Sequence, residues 1–323
     1  MMYTKSVSIV IPTFNSELTL HDCLSSIFMQ DYPPDLFEVI IIDGGSHDGT
    51  LKIASEFKVK ILFNSLRTGE AGKSVGLLAA QKELVAFIDS DNILPSPDWL
   101  KRMIDPFRED IMGVEPYIFT YRRKDPLISR YVSLFGVCDP LQIHVGNRDR
   151  WNCLDSNWTE DKSHKEIEKK DYYLIKLKKG KKIPCIGANG FIGRKDLLLK
   201  ADHFPYYFDI DVVYDLVQKN HNKVAMVKIG IMHLHSSSLK SFIRKAHRRI
   251  REYFMFRSYR KYPWSTGMTG ITNFVMASVT LFPQVNRSVK GYQIKPDIAW
   301  FFHPIASLLV TIIYASYYFK KRF

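Results

Sequence analysis

The sequence predicts an α/β fold built on a doubly wound, mainly parallel sheet that is flanked by helices. Over the first ninety residues, β-branched runs of strand length alternate with segments of helical periodicity. The strand-like runs are apolar at nearly every position, as in strands that are covered on both faces of a parallel sheet. Polar residues follow these runs directly, and open parallel sheets bind their ligands at that place.

The elements of this region follow one another in a regular order. Residues 6–12 form a β-branched run that a proline stops, and residues 17–30 carry apolar side chains on one face of a helix. The remaining strand-like runs are 37–42, 59–63 and 84–88, and the remaining helical segments are 50–57 and 71–83. Thr13, Asp43 and Asp89 lie just past strand ends, so we expect three polar strand tips to share one crevice.

Two carboxylates one residue apart, Asp89 and Asp91, follow the apolar run 84–88. Residues i and i+2 of an extended chain point to the same side, so both carboxylates can reach one cation. Mg²⁺ and Mn²⁺ prefer oxygen ligands and are often held by one or two carboxylates together with substrate phosphates. The pattern indicates a divalent cation and a diphosphate-bearing substrate, although Asp-Ser-Asp-Asn is also ordinary turn chemistry.

Five motifs in a fixed order extend this pattern over residues 6–235. They are Ile-Val-Ile-Pro-Thr-Phe-Asn at 9–15, Ile-Ile-Asp-Gly-Gly-Ser-His-Asp-Gly-Thr at 41–50, Gly-Lys-Ser-Val-Gly at 72–76, Asp-Ser-Asp at 89–91 and Gly-Ala-Asn-Gly at 187–190. In these motifs the chain resembles the family 2 glycosyltransferases, the inverting nucleotide-sugar enzymes with the GT-A fold. It departs from them at Lys73-Ser74, where an Arg-Asn pair is common, and at Asn92, where a third acid often follows.

The resemblance implies a donor site for a nucleotide-diphosphate sugar, with UDP favoured over GDP. In this site Asp43 would hydrogen-bond the nucleotide base, Lys73 would face the phosphates, and Asp91 with Asp89 would bind Mn²⁺ or Mg²⁺. The residues assigned to the nucleotide sugar are Pro12, Thr13, Asn15, Asp43, Lys73, Asp89 and Ser90. The alternative is structural, with the segment after residue 42 as a simple turn and Lys73 as a solvated helix residue.

An inverting transfer also needs a base that deprotonates the acceptor hydroxyl as it attacks the sugar. The resemblance places this base in residues 208–214, where Asp209 takes the base position and Asp211 is the alternative. Both carboxylates would also suit the start of a helix, which is the structural alternative. Asn189 and Gly190 would form the loop on the acceptor side, where glycine allows a close approach of the backbone.

Two histidines, His233 and His235, follow the strand-like run 224–231. Alternation along a strand would place both imidazoles on one side. The resemblance implies that a histidine here contacts the metal or the diphosphate, so both are candidate metal ligands beside Asp89 and Asp91. A histidine that is simply packed or hydrogen-bonded is the structural alternative.

A strongly basic segment begins at residue 239 of a chain whose net charge is +13. Between Leu239 and Tyr262 there are nine Lys and Arg residues and one acidic residue, Glu252. Apolar residues recur there at spacings of three and four, which is typical of an amphipathic helix on an anionic membrane surface. Nucleic acid is the competing partner, but no zinc-binding spacing, RNA-binding signature or helix-turn-helix pattern accompanies the helix, so no nucleic-acid binding is expected.

An uncharged apolar run at 298–319 is long enough to cross a bilayer and ends in Lys-Lys-Arg. A second uncharged run, at 265–284, is less hydrophobic. Two spans would leave both basic flanks on the cytoplasmic side, so a hairpin-like pair is favoured over a single span, and a soluble subdomain is the remaining alternative. No signal peptide precedes the first strand, which predicts a cytoplasmic catalytic domain at the cell membrane.

The predicted domains are a GT-A catalytic domain at 1–235, a basic amphipathic interfacial helix at 236–262, and a membrane-associated region with one or two transmembrane helices at 263–323. The nucleotide-binding half would be about 1–119 and the acceptor half about 120–235, whose charged stretch 157–182 predicts a loop. The expected function is transfer of a sugar, with inversion, from a nucleotide-diphosphate sugar to a lipid-linked or other glycan acceptor at the cytoplasmic membrane face. The alternatives are a polyprenyl-phosphate glycosyl synthase, whose ionised acceptor needs no base, and an inactive membrane scaffold with the same fold.

Overall fold

The computed structural model describes residues 5–107, 110–148, 150–263 and 268–320. The strands within these residues are β1 (Val7–Thr13), β2 (Phe37–Asp43), β3 (Lys60–Phe63), β4 (Leu84–Phe87), β5 (Asn92–Ile93), β6 (Gly113–Phe119), β7 (Lys165–Glu168), β8 (Tyr172–Lys176), β9 (Ile192–Arg194) and β10 (Lys223–His233). The helices are α1 (Leu20–Phe28), α2 (Thr50–Ser55), α3 (Gly69–Ala79), α4 (Trp99–Ile104), α5 (Leu127–Phe135), α6 (Leu141–Val145), α7 (Lys195–Leu198), α8 (Asp209–Gln218), α9 (Leu239–Phe256), α10 (Met268–Thr280), α11 (Phe282–Ile294) and α12 (Phe302–Lys320). Short 3₁₀ turns lie at Pro34–Leu36 and Ile298–Phe301.

The strands form one mixed sheet in the order β3-β2-β1-β4-β9-β6-β10-β8-β7, and β5 pairs with β10. The strands β3, β2, β1 and β4 are parallel, with Val7 opposite Phe37 and Thr13 opposite Asp43. Beyond β4 the sheet contains antiparallel pairs, in which β9 pairs with β4 and β6, and β8 pairs with β10 and β7. The predicted α/β fold is confirmed, and the predicted βαβ units make up the parallel part of the sheet.

Helices pack closely on the four parallel strands and so fix the edge of the sheet at which these strands end. A Cβ on Gly76 of α3 would fall 2.1 Å from Cγ1 of Val10 on β1, so the helix backbone lies directly against the strand. Helix α1 begins three residues later than predicted, because the carbonyl of Ser16 accepts the N–H groups of Thr19 and Leu20 in a turn. Its apolar side chains at Leu20, Cys23, Leu24 and Ile27 are buried, as the helical spacing predicts.

The chain forms two compact units. One contains the chain up to Tyr117 together with Lys162–His233, and the other contains Ile118–Asp161 and the chain from Leu234 onward. The second unit consists mostly of helices α5, α6 and α9–α12. Residues 118–161, which the sequence placed in the acceptor half of the catalytic domain, therefore group with the C-terminal helices. The charged stretch 157–182 is not simply a loop, because it contains the antiparallel pair β7 and β8.

The C-terminal region divides into shorter helices than its composition predicts. The basic helix α9 ends at Phe256, and the run 265–284, whose residues 265–267 lie outside the described part, is interrupted at Leu281, where φ is 60°. The 13 residues of α10 measure about 20 Å, short of the roughly 30 Å of bilayer hydrocarbon. In the described part of the chain, a single stretch, Ile298–Lys320, is long and apolar enough to cross a membrane. The described residues therefore do not form the second span of the predicted hairpin.

Replacing Gly76 by alanine should lower the free energy of unfolding by about 1–3 kcal/mol, because the new methyl group would overlap Val10. Urea unfolding of the full chain measures this change. Gly69→Ala is the matched control, since Gly69 lies on the same helix and nothing lies within 4 Å of its Cβ position. That control should keep or slightly raise the stability. Equal losses at both positions would contradict the close packing of α3 on β1.

Candidate active site

Asp43, the last residue of β2, is tied into the loop that follows it. Its Oδ1 accepts hydrogen bonds from the hydroxyls of Thr13 (3.0 Å) and Ser46 (2.6 Å). Its Oδ2 accepts from the backbone N–H groups of Gly45 and Ser46, each at 2.8 Å. These four bonds account for two lone pairs on each oxygen, so a nucleotide base would have to displace one of the donors to bond here. The predicted contact between Asp43 and the base stays a prediction.

The same hydrogen bonds keep Asp43 ionised. Burial by itself raises the pKa of this carboxyl, but the bonds from Ser46, Gly45 and Thr13 together lower its pKa below the ordinary aspartate value. The parallel register that sets Thr13 opposite Asp43 therefore holds a fixed negative charge at this edge of the sheet.

The loop after β1 connects this edge with the Asp-Ser-Asp segment. The N–H of Asn15 donates to Oγ of Ser46 at 2.9 Å, and Oδ1 of Asn15 accepts from the N–H of His47 at 2.9 Å. Asn15 has a φ of 51°, a left-handed conformation that asparagine tolerates. The hydroxyl of Ser16 lies 2.8 Å from that of Ser90. Hydrogen bonds thus join the loops that follow β1, β2 and β4.

The two carboxylates of the Asp-Ser-Asp motif lie in the turn between β4 and β5. Oδ1 of Asp91 is 3.4 Å from Nε2 of His233, the last residue of β10. The N–H of Asp89 donates to Oδ1 of Asn92 at 3.2 Å, so the residue that stands in place of a third acid holds the turn. Burial first, and then Asp91 and Asp89, raise the pKa of the Cys23 thiol, which keeps this buried cysteine neutral.

Asp91, Asp89 and His233 offer donors that a divalent cation at a diphosphate site requires. Carboxylate oxygens suit Mg²⁺ and Mn²⁺, and His233 adds a nitrogen donor. Across the described residues, no three His, Cys, Asp or Glu side chains are grouped closely enough to hold a metal by themselves. Asp91 and His233, which lie 3.4 Å apart, would supply two donors to an ion that takes its other ligands from phosphate oxygens. Metal binding at these residues stays a prediction.

His235 does not continue the pattern of His233. Strand β10 ends at His233, so strand alternation does not extend to His235. Nδ1 of His235 lies 3.1 Å from the hydroxyl of Ser236, and its ring packs edge-on against Phe242 with the centroids 6.3 Å apart. The alternation from which a shared side was predicted therefore stops at His233, and the shared side of the two imidazoles stays a prediction. A ligand role for His235 stays a prediction.

Lys73 on α3 and Asp209 at the start of α8 form a partly buried ion pair, in which the lysine side chain is the more deeply buried partner. Nζ of Lys73 donates to both carboxylate oxygens of Asp209, at 2.8 and 2.9 Å, although 136 positions separate the two residues. The preceding residue, Gly72, packs on β1, where its Cβ position lies 3.0 Å from Cβ of Pro12. The ammonium also lies 6.0 Å from the ring centroid of Phe87. Contacts of Lys73 and Pro12 with a nucleotide sugar stay predictions.

Burial and the ion pair act on Asp209 in opposite directions. Burial raises the pKa of Asp209 to about 6, and Lys73 holds the pKa below the value that burial alone would produce. Burial lowers the pKa of Lys73, but Asp209, Asp89 and Glu70 raise it above the usual lysine value. Asp209 therefore changes its charge near neutral pH beside a permanent cation.

The two candidate bases, Asp209 and Asp211, differ in how far their carboxylates are exposed to solvent. The side chain of Asp209 is 27% exposed, whereas Asp211 is buried at 6%. Both residues lie in the first turn of α8. A general base must reach the hydroxyl that it deprotonates, so Asp209 is the better placed of the two. The catalytic role itself stays a prediction.

Packing shapes the loop that carries Asn189 and Gly190. Both residues are left-handed, with φ values of 46° and 92°. Oδ1 of the buried Asn189 accepts a hydrogen bond from Nδ2 of Asn92 at 3.4 Å. A Cβ on Gly190 would lie 2.8 Å from Cδ1 of Ile231 on β10, so glycine is needed here for the fold. The predicted contact with an acceptor stays a prediction.

Residues 8–200, more than half of the chain, match the family described as Glycosyl transferase family 2. The chain belongs to glycosyl transferase family 2. Among curated members, glycosyltransferase AglE of Haloferax volcanii is 32% identical over 138 residues, which are 39% of this chain and 44% of that protein. The chain thus spans less than half of the length of this relative. The UDP-Glc:alpha-D-GlcNAc-diphosphoundecaprenol beta-1,3-glucosyltransferase WfgD of Escherichia coli is 28% identical over 202 residues, 58% of this chain and 76% of that protein.

A solved structure supports the fold of this family 2 member. Mannosyltransferase PcManGT of Pyrobaculum calidifontis, in complex with GDP-Man and Mn²⁺, has a TM-score of 0.53 over 97% of this chain and 88% of that chain. The two sequences are 14% identical, so the likeness shows the shared fold alone.

Three residues beside Asp209 were not predicted as site residues of this family 2 member. A Cβ on Gly187 would lie 2.9 Å from the carbonyl oxygen of Asp209, and the N–H of Gly187 donates to Oε2 of the buried Glu115 at 3.1 Å. The hydroxyl of Tyr207 is buried without a hydrogen-bond partner within the described ranges. Burial, then Asp209 and Glu115, raise the pKa of Tyr207. Gly187 could have been found through its motif, but Glu115 and Tyr207 carry no local signal.

The variants Lys73→Met and Asp209→Asn should each lower the free energy of unfolding, and the double variant should lose less than their sum. We expect a coupling of about 1–3 kcal/mol, because a single substitution leaves either the buried Lys73 or the partly buried Asp209 without its partner, and the double substitution leaves neither charge. Urea unfolding near neutral pH measures all four proteins of the cycle.

The control cycle uses Asp215 and Lys219, a pair at 2.8 Å on the same helix α8 whose lysine side chain is 46% exposed, whereas that of Lys73 is 9% exposed. Its coupling should stay below about 1 kcal/mol, since solvent screens an exposed pair. Additive losses at Lys73 and Asp209 would contradict the buried ion pair.

Proposed function

We propose that this family 2 member is an inverting glycosyltransferase that moves a sugar from a nucleotide-diphosphate sugar to a hydroxyl of a lipid-linked glycan at the cytoplasmic face of the cell membrane. The observation that carries the proposal is the state of Asp209. It is a partly exposed carboxylate with a pKa of about 6, held through both oxygens by the buried Lys73. A general base that works near neutral pH requires this combination of access and pKa.

In the proposed reaction, Asp209 accepts the proton of the acceptor hydroxyl while the hydroxyl oxygen forms a bond to the anomeric carbon of the donor sugar. The attack comes from the face opposite the nucleotide diphosphate, which leaves with the electron pair of the broken bond. Lys73 would keep Asp209 ionised before the attack, because a neighbouring cation favours the carboxylate. Asp43 is unsuited to this role, since its lowered pKa makes it a weak base.

Asp89, Asp91 and His233 would hold Mn²⁺ or Mg²⁺ together with the diphosphate of the donor. Such an ion stabilises the negative charge that develops on the leaving nucleotide diphosphate. The Mn²⁺ complex of PcManGT supports the choice of metal. UDP is proposed before GDP as the donor nucleotide, and the name of WfgD, which specifies UDP-Glc, supports this order.

A lipid-linked acceptor and a membrane location belong to the same proposal. The name of WfgD specifies a diphosphoundecaprenol-linked acceptor, which is anchored in a membrane. The basic helix α9 would bring the protein to the anionic cytoplasmic leaflet where such lipids lie. Asn189 and Gly190 would line the acceptor side of the site.

Asp209→Asn should lower sugar transfer at least a hundred-fold, since an amide cannot accept the acceptor proton. The wild-type rate should fall as the pH drops through about 6, because protonation of Asp209 removes the base. Release of nucleotide diphosphate from a panel of UDP- and GDP-sugars, with a total lipid extract as the acceptor source, measures both effects.

Asp215→Asn is the matched control, because Asp215 lies on the same helix and pairs with Lys219 at the surface. This control should keep the wild-type rate and pH profile. Full activity of Asp209→Asn with polyprenyl phosphate would instead favour the synthase reaction, whose acceptor is already ionised. The absence of turnover over the whole donor panel would favour an inactive scaffold.

Asp91→Ala should weaken the binding of nucleotide diphosphate in the presence of Mn²⁺ at least about ten-fold, because one charged ligand of the ion is lost. The thermal shift produced by UDP and by GDP, each with Mn²⁺ or with a chelator, measures this loss. Asp31→Ala, at an exposed carboxylate that follows α1, is the control and should bind as the wild type does. Unchanged binding by Asp91→Ala would remove this residue from the metal site.

A further inference from the structure

Exposed apolar side chains are concentrated on the C-terminal helices of the second unit. Phe282, at the start of α11, is 77% exposed, and Ile298 is 64% exposed. Along α12 and the turn before it, exposed apolar residues repeat at helical spacing, at Phe301, Ile305, Leu308 and Ile312, which we call the apolar face. Exposed apolar side chains grouped on one side of a helix indicate an interaction site.

The opposite side of α12 lies against the basic helix α9. The ring of Phe302, in the first turn of α12, packs on Phe242 with the centroids 5.3 Å apart. The ring of Tyr317, near the end of α12, lies 5.7 Å from that of His247. Residues 302 and 317 are about 22 Å apart along the helix, so α12 contacts α9 near both of its ends.

Charged groups are part of this contact. Nη1 of Arg249 on α9 donates to Oδ2 of Asp139 at 2.9 Å, and the hydroxyl of Tyr314 on α12 donates to the same oxygen. The other side of α9 exposes a row of basic residues about one turn apart, Lys240, Arg244, Arg248 and Arg251. Helix α9 therefore has charges both beside α12 and toward its exposed side.

A transmembrane orientation of α12 conflicts with these contacts. If α12 crossed the bilayer, the segment of α9 packed on it would enter the hydrocarbon together with its charges. A charged side chain at the centre of a bilayer is costly, because the hydrocarbon cannot solvate it. An orientation along the membrane plane avoids this cost, since the apolar face can enter the acyl chains while α9 stays among the headgroups.

We infer that α12 lies in one leaflet without crossing the membrane, with the apolar face toward the acyl chains and α9 at anionic headgroups. The inference rests on the membrane location of the proposed function and specifies the mode of attachment. Both basic flanks of the apolar helices then stay on the cytoplasmic side, in agreement with the positive-inside rule. A second copy of the chain fits the surface less well, because the basic segments 239–262 of two copies would repel each other.

Vesicle co-sedimentation of the full chain tests the attachment. The protein should bind vesicles that contain about one-third phosphatidylglycerol more tightly than vesicles of phosphatidylcholine alone. Ile305→Lys/Ile312→Lys should weaken binding to the anionic vesicles at least about ten-fold, because two inserted side chains are lost. Arg244→Glu/Arg248→Glu should weaken it by a similar factor and only at low salt.

Matched controls come from the first unit. Met29→Lys changes a methionine that is 70% exposed after α1, and Lys52→Glu reverses an exposed charge on α2. Both control variants should bind vesicles as the wild type does. A thermal melt of each variant shows whether it is folded. Vesicle binding unaffected by the Ile305/Ile312 variant would overturn the inference.

The membrane topology of the two chain ends tests the orientation of α12 independently of the proposed membrane location. Epitope tags at the two ends of the full chain should both be digested by protease in inverted membrane vesicles, and both should be protected in intact spheroplasts. Tags on opposite sides would mean that α12 crosses the membrane, which would overturn the inference and leave the membrane location standing. A chain that binds no vesicles but forms a dimer that Ile305→Lys/Ile312→Lys disrupts would overturn both the inferred orientation of α12 and the proposed membrane location.

Discussion

The ion pair between Lys73 and Asp209 is the interaction on which the arrangement of the candidate site depends. The charge of the buried Lys73 is tolerated because both carboxylate oxygens of Asp209 accept hydrogen bonds from it, so the pair fixes α3 relative to the first turn of α8. Two glycines allow the close approach of the elements that carry this ion pair. Gly76 lets α3 lie against β1, and Gly187 lets the acceptor-side loop lie against the backbone of Asp209. A Cβ at either position would move one partner of the pair away from the other.

The first unit holds two of its aspartates in different states by different physical means. Asp43 accepts four hydrogen bonds, which outweigh its burial and keep the pKa below the usual value. Asp209 pairs with one cation, Lys73. Burial raises the pKa of Asp209 by more than Lys73 lowers it, so the pKa rises to about 6. The fixed negative charge of Asp43 at a strand end suits ligand binding. The carboxylate of Asp209 at a helix start can change its charge, which suits proton transfer. Family 2 membership and this division of roles support the same proposed chemistry.

The C-terminal helices show why hydropathy alone does not determine how a helix meets a membrane. The composition of Ile298–Lys320 satisfies the length and hydropathy of a span. The mean hydropathy of a segment, however, averages over all of its residues. It therefore does not distinguish the side of α12 that contacts α9 from the apolar face. The ring contacts of α12 with the charged helix α9 are what support the inferred interfacial position over a span.

Local patterns in the sequence determined the parallel strands, the helices between them and the polar strand ends, because strand and helix periodicity act over a few neighbouring residues. They also singled out Asp43, Asp89 and Asp91, whereas the resemblance to the family pointed to Asp209. The tertiary structure alone decided that Lys73 meets Asp209, that Glu115 and Tyr207 stand beside that carboxylate, and that β10 ends before His235. These outcomes depend on segments distant along the chain, whose approach is set by packing and desolvation, and no local pattern records which of them meet.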